Sequence, residues 1–160
     1  MSRAKAKRHQ ALQDLSKELR GFRISETFSI FGHTYKLGVL APGDEDWVHE
    51  QAGRSNNVVE YAALMQKPRL AAALLEIDGI PVTQLFSLPD DLDKGVREAI
   101  EADQKQLTAW RRGEVLDFMR DDMDLAVISQ LDSSLTQLEA RKQEAISQVV
   151  PFSKETPSTV

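Results

Sequence analysis

Phe28-Ser29-Ile30-Phe31-Gly32-His33-Thr34-Tyr35-Lys36-Leu37 is the stretch on which the fold turns. Apolar residues alternate on both sides of a Gly-containing turn, the two-residue period of a β-hairpin. Phe28 and Ile30 share one face of the first strand, and Tyr35, Leu37 and Val39 continue one face of the second. A lone hairpin is marginal in water, so helices must supply the surface that covers it. Pro42-Gly43 marks the turn out of the hairpin, and Asp44 is placed to cap a helix through Trp47, Val48 and Ala52. The fold expected is α+β, mainly α: a small N-terminal β-hairpin packed on helices, with a long C-terminal helix.

Outward from the hairpin, the pattern is helical in both directions. Upstream, Leu12, Leu15, Leu19 and Phe22 recur at steps of three or four among charged residues, and Gly21 suits the end of that helix. Downstream, Gly53 to Asn57 interrupts the chain, and Asn56 or Asn57 caps a second short helix containing Val58, Val59, Tyr61, Ala62 and Met65. The run Arg69-Leu70-Ala71-Ala72-Ala73-Leu74-Leu75 after Pro68 has high helix propensity and predicts burial almost all round. Asp78-Gly79 is a strong turn dipeptide. Pro81 excludes a central strand beside it but permits an edge hairpin through Ile77, Ile80 and Val82. From Asp90 onward Val96, Ile100 and Leu107 mark a helical face capped by Asp91 or Asp93, and Gly113 separates it from a last long segment. That segment carries Met119, Met123, Val127 or Ile128, Leu131, Leu135 and Leu138 as a heptad-like seam. Lys142 takes the next seam position, which argues for packing on the parent domain and against an extended coiled coil. The domain plan is a basic amphipathic arm over 1–22, a hairpin-plus-helices domain over 23–150 and a polar tail over 151–160.

With 160 residues, 41% of them hydrophobic, the chain can bury one ordinary core. It has no Cys, which removes disulfides, thiolate metal sites and a cysteine nucleophile. The longest apolar run, Leu70 to Leu75, falls far short of the ~20 residues of a membrane-spanning helix. The polar residues after Arg3, Lys5, Lys7 and Arg8 provide no apolar signal-peptide region, so a cytoplasmic origin is expected. A net charge of −5 disfavours nucleic acid as a partner of the whole surface. Positive charge gathers instead in Arg3, Lys5, Lys7 and Arg8, opposite an acidic body rich in Asp from Asp90 to Asp124. Such an arm fits a solvated terminus first, and contact with an acidic neighbour or another copy second.

No constellation of catalytic residues is evident. His9, His33 and His49 include no helically spaced pair. Asp44, Glu45, Asp46, His49 and Glu50 share enough of a helix to face one ion, but capping and the helix dipole already explain acidic residues at a helix start. Asp90-Asp91 and Asp121-Asp122 read as solvated faces, because paired-carboxylate chemistry needs groups held across a pocket. The glycines Gly43, Gly53, Gly79, Gly95 and Gly113 are isolated, and no phosphate loop or nucleophile elbow is present. A non-enzymatic chain with no cofactor and no metal is expected. Trp47 and Trp110 combine large area with one donor, a profile shared by interface anchors and core tryptophans.

The stretch Ile30 to Leu37, then Leu40 and Gly43-Asp44-Glu45, resembles the opening of small tail proteins of tailed bacteriophages. In those a short hairpin leads into an acidic-started helix. Leu74-Leu75-Glu76-Ile77-Asp78-Gly79-Ile80-Pro81-Val82 is similar to their internal Ile-Asp-Gly segment, and the Leu131, Leu135, Leu138 helix fits their close. The resemblance covers about residues 26 to 148. It implies a subunit of the virion tail, a baseplate or hub component made in the host cytoplasm and oligomeric in the assembly, with other tail proteins as partners. Its alternative is a non-virion tail assembly chaperone that holds the tape-measure and tail-tube proteins. Trp47, Trp110, Leu131, Leu135 and Leu138 are then the anchor candidates, with Arg3, Lys5, Lys7 and Arg8 as the charged arm. A regulatory nucleic-acid binder using that arm is the remote third reading.

Overall fold

In a computed structural model of the chain, which describes residues 3–8, 10–11 and 24–149, the quoted stretch is a hairpin of β1 (Ser25–Ile30) and β2 (His33–Gly38). Ile30 pairs with His33 across a two-residue turn, and Phe31 and Gly32 both take positive φ, 47° and 84°. A second hairpin, β3 (Leu74–Ile77) and β4 (Ile80–Pro81), turns at Asp78-Gly79 with φ of 52° and 78°. Positive φ at both central residues gives each turn the twist of its strands. The four strands form one antiparallel sheet in the order β1-β2-β3-β4, so Pro81 lies on an edge strand as its missing amide requires. Gly and Asp tolerate this conformation. A bulky Phe does so at a cost of roughly 1–2 kcal/mol, so Phe31 is a strained residue.

Helix α1 (Pro42–Ala52) follows the hairpin, and the Asp44 carboxylate accepts the Ala41 N–H at 2.8 Å. Asp44 therefore acts from the third helical position and not as the N-cap expected from the sequence. Asn57 caps α2 (Val58–Ala73) by accepting the Val59 and Glu60 N–H groups. Where the sequence predicts two helices divided at Pro68, α2 runs through it as one. Pro68 removes a helix hydrogen bond, a cost of about 3 kcal/mol. It is itself fully buried, as is Leu70, and Ala71 and Ala73 are nearly so, and this packing outweighs the local loss. Leu74 and Leu75 leave the helix directly for β3, because Leu74 pairs opposite Leu37 in the middle of the sheet. A bulge at Leu75 leaves that side chain 39% exposed and close enough to Gly38 that a Cβ there would meet Leu75 Cδ1 at 3.1 Å.

A one-turn helix α3 (Val82–Leu85) leads to α4 (Lys94–Ala102), whose N-cap is Asp93. None of its residues is buried, so the Val96, Ile100 face stays partly open. The break before α5 (Gln104–Asp121) falls at Asp103, which accepts the Lys105 and Gln106 N–H groups, and Gly113 lies inside α5 where a boundary was expected. The expected seam is likewise divided: Met119 ends up on α5, and Asp124 caps α6 (Leu125–Val149) by accepting the Ala126 N–H at 2.7 Å. Side-chain caps at Asp103 and Asp124 set these breaks more strongly than a single Gly.

One core gathers these parts. Ile30, Tyr35 and Leu37 from the sheet meet Leu70, Val115, Leu116, Met119, Ile128, Leu131, Leu135 and Leu138. Lys142 Nζ donates to the Leu40 carbonyl at 3.1 Å, which ties the end of the seam to the hairpin exit, as packing on the parent domain requires. Arg3, Lys5, Lys7 and Arg8 lie in a helical, exposed stretch. The expectations for His9, Leu12, Leu15, Leu19, Gly21, Phe22 and the 151–160 tail fall outside the described residues. Leu135→Ala is expected to lower unfolding free energy by about 2–5 kcal/mol, and Asn57→Ala by about 1 kcal/mol, both read by chemical denaturation.

Candidate protein-binding surface

Sidedness in the fold separates what the core consumes from what stays available. Leu131, Leu135 and Leu138 are all 0% exposed, which corrects their candidacy as partner anchors: the seam is spent inside the domain. Trp47 packs partly against the core, with the Arg112 guanidinium 5.7 Å from its ring centroid, and Trp110 is half-buried on α5. Arg112 also pairs with Asp44. Trp47, Asp44 and Arg112 line one wall of an open cleft of about 550 Å³ that runs to Lys105 and Thr108, and Trp110 does not belong to it.

A larger cleft of about 640 Å³ opens between α2, the exit of β2 and the second half of α6. Leu40, Ala62, Met65, Arg69, Glu139 and Lys142 lie along it, and an Arg69–Glu139 ion pair of 2.5 Å spans it. Ala62, Met65 and Arg69 follow helical spacing on α2 and line this cleft, and Val58 stands one turn earlier on the same helix, outside the lining. Val58 and the adjacent Val59 are 84% and 79% exposed. Two β-branched residues uncovered at the start of a well-capped helix are the surface feature that sequence reasoning missed, because adjacent valines read as core.

Chemistry is sparse on this surface. Among the described residues no side-chain polar atom is buried without a partner, and no group of three metal-ligating residues is assembled. The acidic start of α1 is divided: Asp44 serves Ala41 and Arg112, while His49 stacks on Tyr61 and hydrogen-bonds its hydroxyl. No described helix is long and apolar enough to cross a membrane. A second feature unread in the sequence is a clamp between the hairpin turns. Asp78 Oδ1 accepts the Thr34 N–H at 2.8 Å, Asp78 Oδ2 lies 2.7 Å from His33 Nδ1, and the Asp78 N–H donates to the Thr34 carbonyl at 2.8 Å. The Thr34 amide first, and then His33, hold the Asp78 carboxyl below its ordinary pKa. Burial, and secondarily the Asp78 charge, raise that of the neighbouring Tyr35 phenol.

No protein-family model matches the chain, and no curated protein or solved structure matches it. The surface itself therefore carries the functional reading.

A carboxyl whose pKa is lower folded than unfolded stabilises fully above its unfolded value and loses that contribution as pH falls through the folded one. The stability difference between wild type and Asp78→Asn is thus expected to be present at neutral pH, to decline once pH falls below the ordinary aspartate value of 3.8 and to vanish beneath the lower folded value. Asn also tolerates the left-handed turn position, so the substitution isolates the charge. Paired denaturation curves at pH 7 and at low pH check this.

Proposed function

We propose that the chain is a non-catalytic protein-binding subunit of a tailed-bacteriophage tail, most closely a baseplate component. The observation that carries the binding role is the exposed Val58-Val59 pair in the first turn of α2, the helix that also lines the 640 Å³ cleft through Ala62, Met65 and Arg69. Adjacent apolar side chains left in water on a helix that borders a cleft fit a surface for another macromolecule. The tail assignment is supported by the resemblance over the hairpin, the Ile-Asp-Gly turn and the closing helix. The role rests on shape and apolar area, with the charged groups at the rim giving orientation. Trp47 and Arg112 offer a second, smaller anchor at the other cleft.

A second reading is the assembly chaperone, which holds an aggregation-prone tail protein and leaves before the particle matures. The same uncovered valines favour it, since a releasing chaperone must expose its binding surface in the free state. Quantitative mass spectrometry of purified mature particles against total infected-cell lysate separates the two. A fixed, low copy number per particle is the expected result; abundance in lysate with absence from particles would establish the chaperone instead, and absence of any association with tail proteins in lysate would overturn both. Val58→Asp with Val59→Asp is expected to abolish incorporation while changing unfolding free energy by no more than about 0.5 kcal/mol, because both sites are exposed in the first turn, where acidic residues are favourable.

A further inference from the structure

The strain at Phe31 has no local compensation. Asp78 takes the same backbone conformation in the neighbouring turn and is held there by three hydrogen bonds to Thr34 and His33. Phe31 is 69% exposed at the hairpin tip. A strained, solvent-exposed aromatic at this turn stands against local preference, since Asn-Gly would suit the same two positions better. The clamp beneath it fixes the knob's direction by tying the first turn to the second.

A matching hole exists on the same molecule. An apolar pocket of about 150 Å³ lies between α2, β3 and α5, with Ala71, Leu74 and Val115 as its buried floor and Ala72, Leu75 and Thr83 nearer the rim. That volume is the size that takes one benzene ring. The bulge that pushes Leu75 outward helps to shape it. Charge is complementary: Arg111, whose Nε donates to the Phe86 carbonyl, borders the pocket, with Arg112 beside it already paired to Asp44, whereas the half-exposed Asp78 carboxylate sits beside the knob. Knob and hole lie at opposite ends of β2, because Phe31 precedes His33 while the pocket residue Leu74 pairs with Leu37. Four residues of strand separate them by roughly 13 Å. A chain therefore cannot fill its own pocket.

We propose that a second copy of this chain seats Phe31 in the pocket floored by Ala71, Leu74 and Val115, forming a head-to-tail contact. Such a contact uses two different surfaces, so each copy retains a free knob and a free hole, and association continues into a ring or a filament. This goes beyond the tail assignment and does not depend on it. Phe31 supplies the central anchor, and the pairing of Asp78 with Arg111 orients it.

Sedimentation velocity of the full chain between roughly 1 µM and 1 mM is expected to show concentration-dependent association beyond a dimer. Phe31→Asn should weaken it by about tenfold or more. The same variant should raise the melting temperature by about 2–4 °C, since Asn-Gly fits the turn, whereas a purely structural Phe would lower it on removal. Ala72→Phe should fill the hole and weaken association equally, with Thr83→Trp at the exposed rim as the second blocking variant should the first not fold. Phe31→Asn retains a hole and either blocking variant retains a knob, so a mixture of the two is expected to form a complex that stops at one to one. A wild type that stays monomeric throughout, a Phe31→Asn chain that associates like wild type, or a mixture that forms no complex would overturn the proposal.

Discussion

Burial of a single stripe of α6, formed by Ile128, Leu131, Leu135 and Leu138, is the constraint on which the other elements depend. A four-strand sheet with strands as short as two residues cannot stand alone. Its inner face, Ile30, Tyr35 and Leu37, is covered only because the α6 stripe and the buried turns of α2 and α5 close over it. The hydrophobic gain is nondirectional. Direction comes from polar contacts at the margin: Lys142 holds α6 to the hairpin exit at Leu40, Arg69 holds α2 to α6 at Glu139, and Arg141 pairs with Glu26 on β1. These exposed or part-exposed pairs add little stability each. Their effect is to fix where one apolar surface lands on another.

This hierarchy explains which parts of the fold could be read from the chain. The first hairpin, the Asp78-Gly79 turn and the caps at Asn57 and Asp93 depend on neighbours a few residues away, so their signals are complete in the local sequence. Pro68, Gly113 and Leu74 were misleading. Each carries a local preference that something stronger overrides: tertiary burial sinks Pro68 into the core and pairs Leu74 with Leu37, while the side-chain caps at Asp103 and Asp124 set the helix ends on either side of Gly113. The Leu131, Leu135, Leu138 seam was legible as a seam, but periodicity cannot say whether an apolar stripe faces its own domain or a partner.

The candidate surface was harder to read than the fold, and the reason is physical. Residues that bind partners through shape are the same types that build cores, so Val58 and Val59 are distinguished only by what fails to cover them. Trp47 was legible as a large residue with a polar handle, but its pairing with Arg112 joins α1 to α5 across a sequence gap that no spacing rule bridges. The clamp among His33, Thr34 and Asp78 is of the same kind: local sequence marks Asp78 as a turn residue but not its contacts to His33 and Thr34, which arise because the sheet order brings the two turns together.

The two turns also show how a stable interior permits departures at the surface. Both use a non-glycine residue in the left-handed region, and only at Asp78 does the side chain secure the conformation that its backbone adopts. At Phe31 the cost is borne by the rest of the fold, through the paired β1 and β2 ladder and the apolar face beneath it. A core with eleven of its larger side chains under 2% exposed can carry one such strain without losing cooperativity. Strain therefore accumulates where packing does not forbid it, at an exposed turn, and a residue held there against its preference is free to answer to something outside the chain.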